Sequence, residues 1–281
     1  MVPIHVINLD RVPRRWTFVH DQFVAAGLGQ AVHRFSAVDA RAPDFVAPGY
    51  APHSWGDRWE LELGEQAIFE SHRAAWHLVR DQAPHGAVIC EDDILVSGEF
   101  AKVLEALPDA DLGLVKLDGF NSVRRYGPLE KIGSLCVRQI LEPVPSAACY
   151  FVNRSSADRL IEESRAYCAT LDDYLFAPRA GLPPVQLFPA VAVQGMCCAS
   201  LEGAGLPDWI GQSERADAHS ARRAGKGPTA YRAGKELSRL ARRMGRAAGA
   251  DRRLLDRGGL IDCPHLAPDL PPYRVGEGAP E

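Results

Sequence analysis

AVICEDDILV, residues 87–96, joins a four-residue apolar run to three consecutive acids and then turns apolar again at Ile94. Residues 87–90 have the length and composition of a strand buried in a sheet. Glu91, Asp92 and Asp93 then stand at the end of that strand. Adjacent carboxylates repel one another and are costly to desolvate, and a bound divalent cation offsets both costs. Mg²⁺ or Mn²⁺ takes oxygen ligands of this kind and usually arrives with substrate phosphates. The open end of an α/β sheet is also where ligands bind. The competing reading is an acidic helix cap or a solvated turn.

Working outward, residues 4–9 (IHVINL) predict a first buried strand, and 13–27 a helix with Pro13 at its start and Gly27 at its end. Residues 33–38 predict a second strand, and 41–60, rich in Pro, Gly and aromatics, a loop. The periodicity of Ile68, Ala75, Trp76 and Val79 predicts a helix over 64–82. After the acidic strand come a short helix at 99–107, a strand at 112–117, a strand at 147–152 and a helix at 155–164. Strands alternating with helices define an α/β sheet with helices on both faces. Residues 203–233 turn to Gly, Ala, Arg and Pro, which predicts a linker. Residues 235–247 predict an amphipathic helix, with Leu237, Leu240 and Met244 on one face and Arg239, Arg242, Arg243 and Arg246 around it. Residues 264–281 carry many prolines, which predicts an extended tail.

The 281 residues, 46% hydrophobic and 24% charged, are those of an ordinary globular chain of one large domain, or a domain with an appendage. No apolar run approaches the roughly 18–20 residues of a membrane span. The first residues lack a secretory signal pattern, and the seven cysteines form no CxxC pair, so the expectation is a reduced, cytoplasmic protein. Charge is uneven. Residues 1–213 carry 18 Lys+Arg against 27 Asp+Glu, and residues 214–257 carry 13 against 5. An acidic body thus precedes a basic segment. The chain has no GxGxxG, no GxxxxGK[ST] and no GxSxG, which excludes the usual dinucleotide, P-loop and α/β-hydrolase signatures.

Three further groups carry chemistry. Asn8 and Asp10 end the first strand and precede Arg11, Arg14 and Arg15, a set able to hold a nucleoside and meet phosphates. Glu65 and His72, seven apart, share a helical face that borders the acidic strand. Asp172 and Asp173, among Leu171, Tyr174, Leu175 and Phe176, suit either the first turn of a helix or a general base in a cleft.

Taken in order, INLDRVPRR (7–15), FSAVDA (35–40), Gly64-Glu65 with Ser71, His72 and Trp76, ICEDDI (89–94), SAACYFVNRSSADRL (146–160) and Asp172-Asp173-Tyr174 resemble glycosyltransferase family 25, the lipooligosaccharide- and collagen-type transferases. The resemblance runs over roughly residues 4–200. It departs from the family pattern at Cys90, where a leucine is usual, and is loose at 194–200. It implies a GT-A-like, Rossmann-type sheet with flanking helices, to which this chain adds the basic C-terminal helical appendage. It also implies a nucleotide-sugar donor, usually a divalent metal (Mn²⁺ or Mg²⁺), and inversion at the anomeric carbon. Carried over by position, Glu91, Asp92 and Asp93 match the metal motif. Asn8, Asp10, Arg15, Asp39, Glu65, Ser71 and His72 match the donor side, and Asp172 or Asp173 the base.

The expectation is therefore a hexosyltransferase that moves a sugar from a nucleotide-sugar donor, a UDP-hexose, to a lipopolysaccharide-type glycan. Residues 1–205 form the catalytic domain, and 206–281 the linker, amphipathic helix and tail. The 235–247 segment offers peripheral contact with the anionic inner membrane face. The alternative is a non-catalytic nucleotide-sugar or glycan binding module. Nucleic acid is not expected as a partner, because the body is acidic and no nucleic-acid motif is present.

Overall fold

The computed structural model describes residues 2–53, 58–199, 206–211 and 225–274. In chain order the elements are β1 (Ile4–Asn8), α1 (Pro13–Ala25), β2 (Val32–Ser36), α2 (Leu63–Gln82), β3 (Ala87–Glu91), β4 (Ile94–Val96), α3 (Phe100–Ala106), β5 (Leu114–Lys116), β6 (Asp118–Gly119), β7 (Arg124–Ile132), β8 (Leu135–Ile140), β9 (Cys149–Val152), α4 (Arg154–Glu163), α5 (Leu171–Leu175), β10 (Val185–Leu187), β11 (Ala192–Gln194), α6 (Thr229–Gly245), α7 (Asp251–Asp256) and β12 (Leu260–Asp262). Nine strands form one sheet in the order β12-β7-β8-β10-β5-β9-β3-β1-β2, and β4-β11-β6 form a second. The large sheet is mixed. β2, β1 and β3 run parallel, whereas β9 runs antiparallel to both β3 and β5.

Alternation along the central strands builds a core on each face of this sheet. Ile4 and Val6 of β1, Val88 and Cys90 of β3, and Cys149 and Phe151 of β9 pack with Val19 and Phe23 of α1 and Phe100 and Leu104 of α3. Ile7, Ile89, Tyr150 and Val152 face the other way, against Phe69 and Trp76 of α2, Leu160 of α4 and Leu171 of α5. Helices therefore cover both faces, as the strand–helix alternation predicts. Complete burial of a side chain such as Phe23 stabilises the fold by roughly 1.5–3 kcal/mol.

Local chemistry sets the helix ends. Pro13 opens α1, where its missing N–H costs nothing. Gly27, at φ 77°, closes the helix, with Gly27 N–H donating to Val24 O at 3.0 Å and Leu28 N–H to Phe23 O at 2.8 Å. That is a Schellman pair of bonds, and it needs a left-handed residue. Glu62 and Glu65 form a capping box at the start of α2.

The three acids fall at the end of their strand, as read from the sequence. β3 ends at Glu91, Asp92 and Asp93 form a turn, and Ile94–Val96 crosses into the small sheet, antiparallel to β11. The β7–β8 hairpin, turning at Gly133 with φ 59°, was not anticipated. Pro128 and a register irregularity between Tyr126 and Leu129 break the alternation that would reveal it.

In the C-terminal region α6 begins earlier than the expected 235. Leu237, Leu240 and Met244 are exposed, as are Arg239, Arg243 and Arg246, while the Arg242 side chain lies outside the described residues. Arg125 of β7 holds Asp251 of α7 through two 2.7 Å bonds, and β12 pairs with β7. Ala267 and Leu270, in the proline-rich stretch, are buried against Leu95 and Val193. The expected linker lies mostly outside the described residues, as do residues 275–281 of the expected tail.

Candidate active site

The small sheet assembles the site. β11 pairs Gln194 with Ile94, directly after the acidic turn, and pairs Ala192 with Asp118 of β6. The end of β3, the end of β1 and the middle of α2 close round the same space. The resulting open cleft has apolar walls from Ile7, Leu9, Ala37, Val38, Ala67 and Ile68, and polar groups from Arg11, Arg15, Asp39, Ser71, His72, Glu91, Asp92 and Asp93. Its mixed lining, apolar with a few convergent polar groups, suits a small-molecule ligand.

Asp92 turns inward. Asn8 Nδ2 donates to its Oδ2 at 2.6 Å, and Arg15 lies 3.3 Å from its Oδ1. Burial, and then the neighbouring Asp93 charge, pushes the Asp92 carboxyl up to about 6, against the opposing pull of Asn8 and Arg15. Glu91 and Asp93 share a different partner. Gln194 Nε2 lies 2.9 Å from Glu91 Oε2 and 3.2 Å from Asp93 Oδ1. Among the described residues no three His, Cys, Asp or Glu side chains are grouped as a ready metal site. Two carboxylates converging on one donor nevertheless suit a hard cation whose other ligands are substrate phosphates and water.

His72 is buried. Trp76 Nε1 donates to Tyr150 Oη at 2.8 Å, and His72 Nδ1 is 2.9 Å from the same oxygen. His72 Nε2 lies on the side of Glu91 Oε1, 3.9 Å away. Ser71 Oγ donates to Ala67 O and accepts from Val38 N–H at 2.9 Å, anchoring the strand end that carries Asp39. Asp39 pairs with Arg11 at 2.9 Å on the cleft wall.

Two residues expected on the donor side do other work. Asp10 binds Arg34 and Ser36 at the surface, and the Ser36 hydroxyl leads the groups that hold its carboxyl below the ordinary range. Glu65 Oε2 accepts from Glu62 N–H at 2.8 Å and so caps α2. Asn8 orients Asp92 from behind rather than lining the cleft.

A second, open cavity is lined by Glu91, Asp93, Ser146, Asp172, Gln194 and Met196 among others. Glu91 and Asp93 thus stand in the wall between the two spaces. Asp172 and Asp173 both occupy the first turn of α5, but they diverge. Asp172 Oδ2 accepts from Ser146 N–H at 3.0 Å, whereas Asp173 meets Arg58 at 3.4 Å near the surface.

Behind this cavity lies a buried polar chain that sequence reading missed. Lys116 Nζ lies 2.7 Å from Asp118 Oδ2 and also meets Ser146 O. Ser146 Oγ is 2.6 Å from the same carboxylate oxygen and 3.1 Å from Gln194 Oε1. Burial pushes the Asp118 carboxyl up, and the Lys116 ammonium opposes it. The i,i+2 charge pair inside LVKLDG was an available signal, because period 2 places both on one face of a buried strand. Gln194 and Ser146 had none.

Residues 1–126 match the family model of glycosyltransferase family 25, described as an LPS biosynthesis protein. The resemblance read from the motifs is borne out over these residues, which carry β1 through the acidic turn to the start of β7. The match supports a glycosyltransferase of lipopolysaccharide biosynthesis. No curated protein matches the chain.

Proposed function

We propose that this protein is an inverting, GT-A-like hexosyltransferase that transfers sugar from a nucleotide-sugar donor, a UDP-hexose, to a hydroxyl of a lipopolysaccharide-type glycan. The observation that carries the reading is the shared wall. Glu91 and Asp93 border both the arginine-containing cleft and the cavity that holds Asp172. The sheet supports the same reading, with parallel β2-β1-β3 beside antiparallel β9.

In this mechanism the apolar walls at Val38, Ala67 and Ile68 take the base, and Arg11 and Arg15 meet the diphosphate. Glu91 and Asp93 hold a divalent cation, Mn²⁺ or Mg²⁺. When bound, that cation supplies charge neutralisation on the departing diphosphate. Asp172, fixed by the Ser146 N–H, accepts the proton of the attacking acceptor hydroxyl.

The exposed apolar stripe Leu237, Leu240 and Met244, with Arg239 and Arg243 beside it, favours a peripheral contact with an anionic membrane carrying a lipid-linked acceptor. No helix among the described residues is long and apolar enough to cross a membrane. The cytoplasmic membrane face is the matching location. Sedimentation with phosphatidylglycerol vesicles, but not with phosphatidylcholine vesicles, is the expected result.

The deciding experiment is release of free nucleotide from UDP-, GDP- and CMP-sugars with Mn²⁺, with Mg²⁺ and with EDTA, beside Asp93→Ala. Metal-dependent turnover of one donor, lost in the variant, is expected. Donor binding without turnover, even with glycan acceptors supplied, would favour a non-catalytic binding module instead.

A further inference from the structure

Gln194 is buried between two groups that make opposite demands on its amide. On one side Glu91 and Asp93 require a donor, and Nε2 faces them at 2.9 and 3.2 Å. On the other side Oε1 faces Ser146 Oγ at 3.1 Å. That hydroxyl has one proton to give. Asp118 sits 2.6 Å from it and also accepts from Lys116 Nζ and Cys149 N–H, three donors that favour its carboxylate form against the pull of burial. The shorter, charge-assisted bond takes the Ser146 proton. Gln194 Oε1 is left facing a lone pair inside the protein, an arrangement that costs free energy.

A half-turn of the amide mends that side. Nε2–H then donates to Ser146 Oγ, which has a lone pair left after accepting from Ala148 N–H at 3.3 Å. The same rotation brings Oε1 against Glu91 and Asp93. Three oxygens converging there repel one another unless a cation stands among them, and a hard cation prefers such a set. Each amide orientation therefore belongs to a different state of the site.

We propose that Gln194 is a cation ligand that works by rotation: when a divalent cation enters between Glu91 and Asp93, the amide turns by half, Oε1 coordinates the cation and Nε2–H docks on Ser146 Oγ. This rests on the cation site read above and adds its third protein oxygen. Ser146 and, behind it, Asp118 and Lys116 act as positioning residues that hold the rotated amide. Because Ser146 N–H also holds Asp172, the residue that receives the rotated amide also fixes the base.

The test is Mn²⁺ titration of the full-length chain, with free Mn²⁺ read by electron paramagnetic resonance, alone and with UDP. Gln194→Ala is expected to weaken binding by about tenfold or more, in the range for loss of a supporting group at a metal site. Ser146→Gly is expected to weaken it severalfold. Glycine suits the φ of 69° at that position and keeps the backbone N–H. Gln194→Glu, which guards against misfolding of the alanine variant, is expected to bind at least as tightly as wild type and to gain more thermal stability from Mn²⁺. With ¹⁵N-labelled glutamine, Mg²⁺ is expected to shift one side-chain NH₂ pair that is missing from the Gln194→Glu spectrum. Unchanged Mn²⁺ affinity in both Gln194→Ala and Ser146→Gly would overturn the proposal and leave the cation site standing. No Mn²⁺ binding by wild type, with or without UDP, would overturn both.

Discussion

Asn8 Nδ2 donates a 2.6 Å hydrogen bond to Asp92 Oδ2, joining the end of β1 to the acidic turn. Asn8 is fully buried, and its own Oδ1 accepts from Arg34 Nε at 2.8 Å. The bond fixes one oxygen of Asp92, while Glu91 and Asp93 meet Gln194 and Arg15 lies 3.3 Å from Asp92 and 3.9 Å from Asp93. Asn8→Leu removes the donor to Asp92 Oδ2 and leaves Arg15 as partner of Oδ1 alone, on a carboxyl already held up near 6 by burial. The expected cost is about 1–3 kcal/mol in urea unfolding, the penalty for an unmatched buried polar group. Asn8→Asp is expected to be worse, because it adds a like charge.

The divergence of Asp172 and Asp173 separates two otherwise similar variants. Asp172→Asn is expected to lower kcat by about 10²–10⁴, the span of general-base catalysis. Asp173→Asn loses only a partly exposed pair with Arg58 and is expected to stay within about threefold of wild type, since such pairs contribute little. Single-turnover nucleotide release with the preferred donor reads both. Equal losses would move the base elsewhere.

Lys116 and Asp118 are both buried and paired at 2.7 Å. Lys116→Met leaves an uncompensated buried carboxylate and is expected to cost about 3–5 kcal/mol. Adding Asp118→Asn removes the stranded charge but keeps oxygen and nitrogen for Ser146 and Cys149. The double variant is therefore expected to be more stable than Lys116→Met alone, with the coupling read from a double-mutant cycle in urea.

His5 on β1 governs one acid-sensitive contribution. Burial, and then the charge of His33, hold its pKa at about 4, below the ordinary 6.5. The folded state thus resists protonation that the unfolded chain accepts. The stability His5 contributes is present above pH 6.5 and is lost as pH falls toward 4. The ring is partly exposed, so solvent screening trims the effect to the order of 1 kcal/mol. His5→Gln is expected to flatten the fall in unfolding free energy between pH 6.5 and 4.5. An unchanged slope would assign that acid limb to other groups.

Much of the frame was legible in the chain. Strands β1, β3 and β9 and helices α1, α2 and α4 follow from apolar runs, helical periodicity and end signals such as Pro13 and Gly27, all of which act over a few residues. The acids of the 91–93 turn and the Arg15–His72 side of the cleft announce themselves by motif. Asp10 and Glu65 share those motifs, yet they make local bonds to Ser36 and Glu62. A side chain's identity does not reveal which of two nearby partners it takes.

Sequence by itself determined the alternating α/β plan, the two apolar faces of the central strands and the acidic turn at the end of β3. These rest on short-range preferences and on burial periodicity. Only the tertiary structure decided that β4, β11 and β6 form a separate sheet, that Gln194 spans Glu91 and Asp93, and that Asp172 rather than Asp173 borders them. Gln194 lies 103 and 101 residues along the chain from the two acids it joins. Contacts over that separation come from strand pairing and packing of the whole fold, and no local pattern in the chain encodes them.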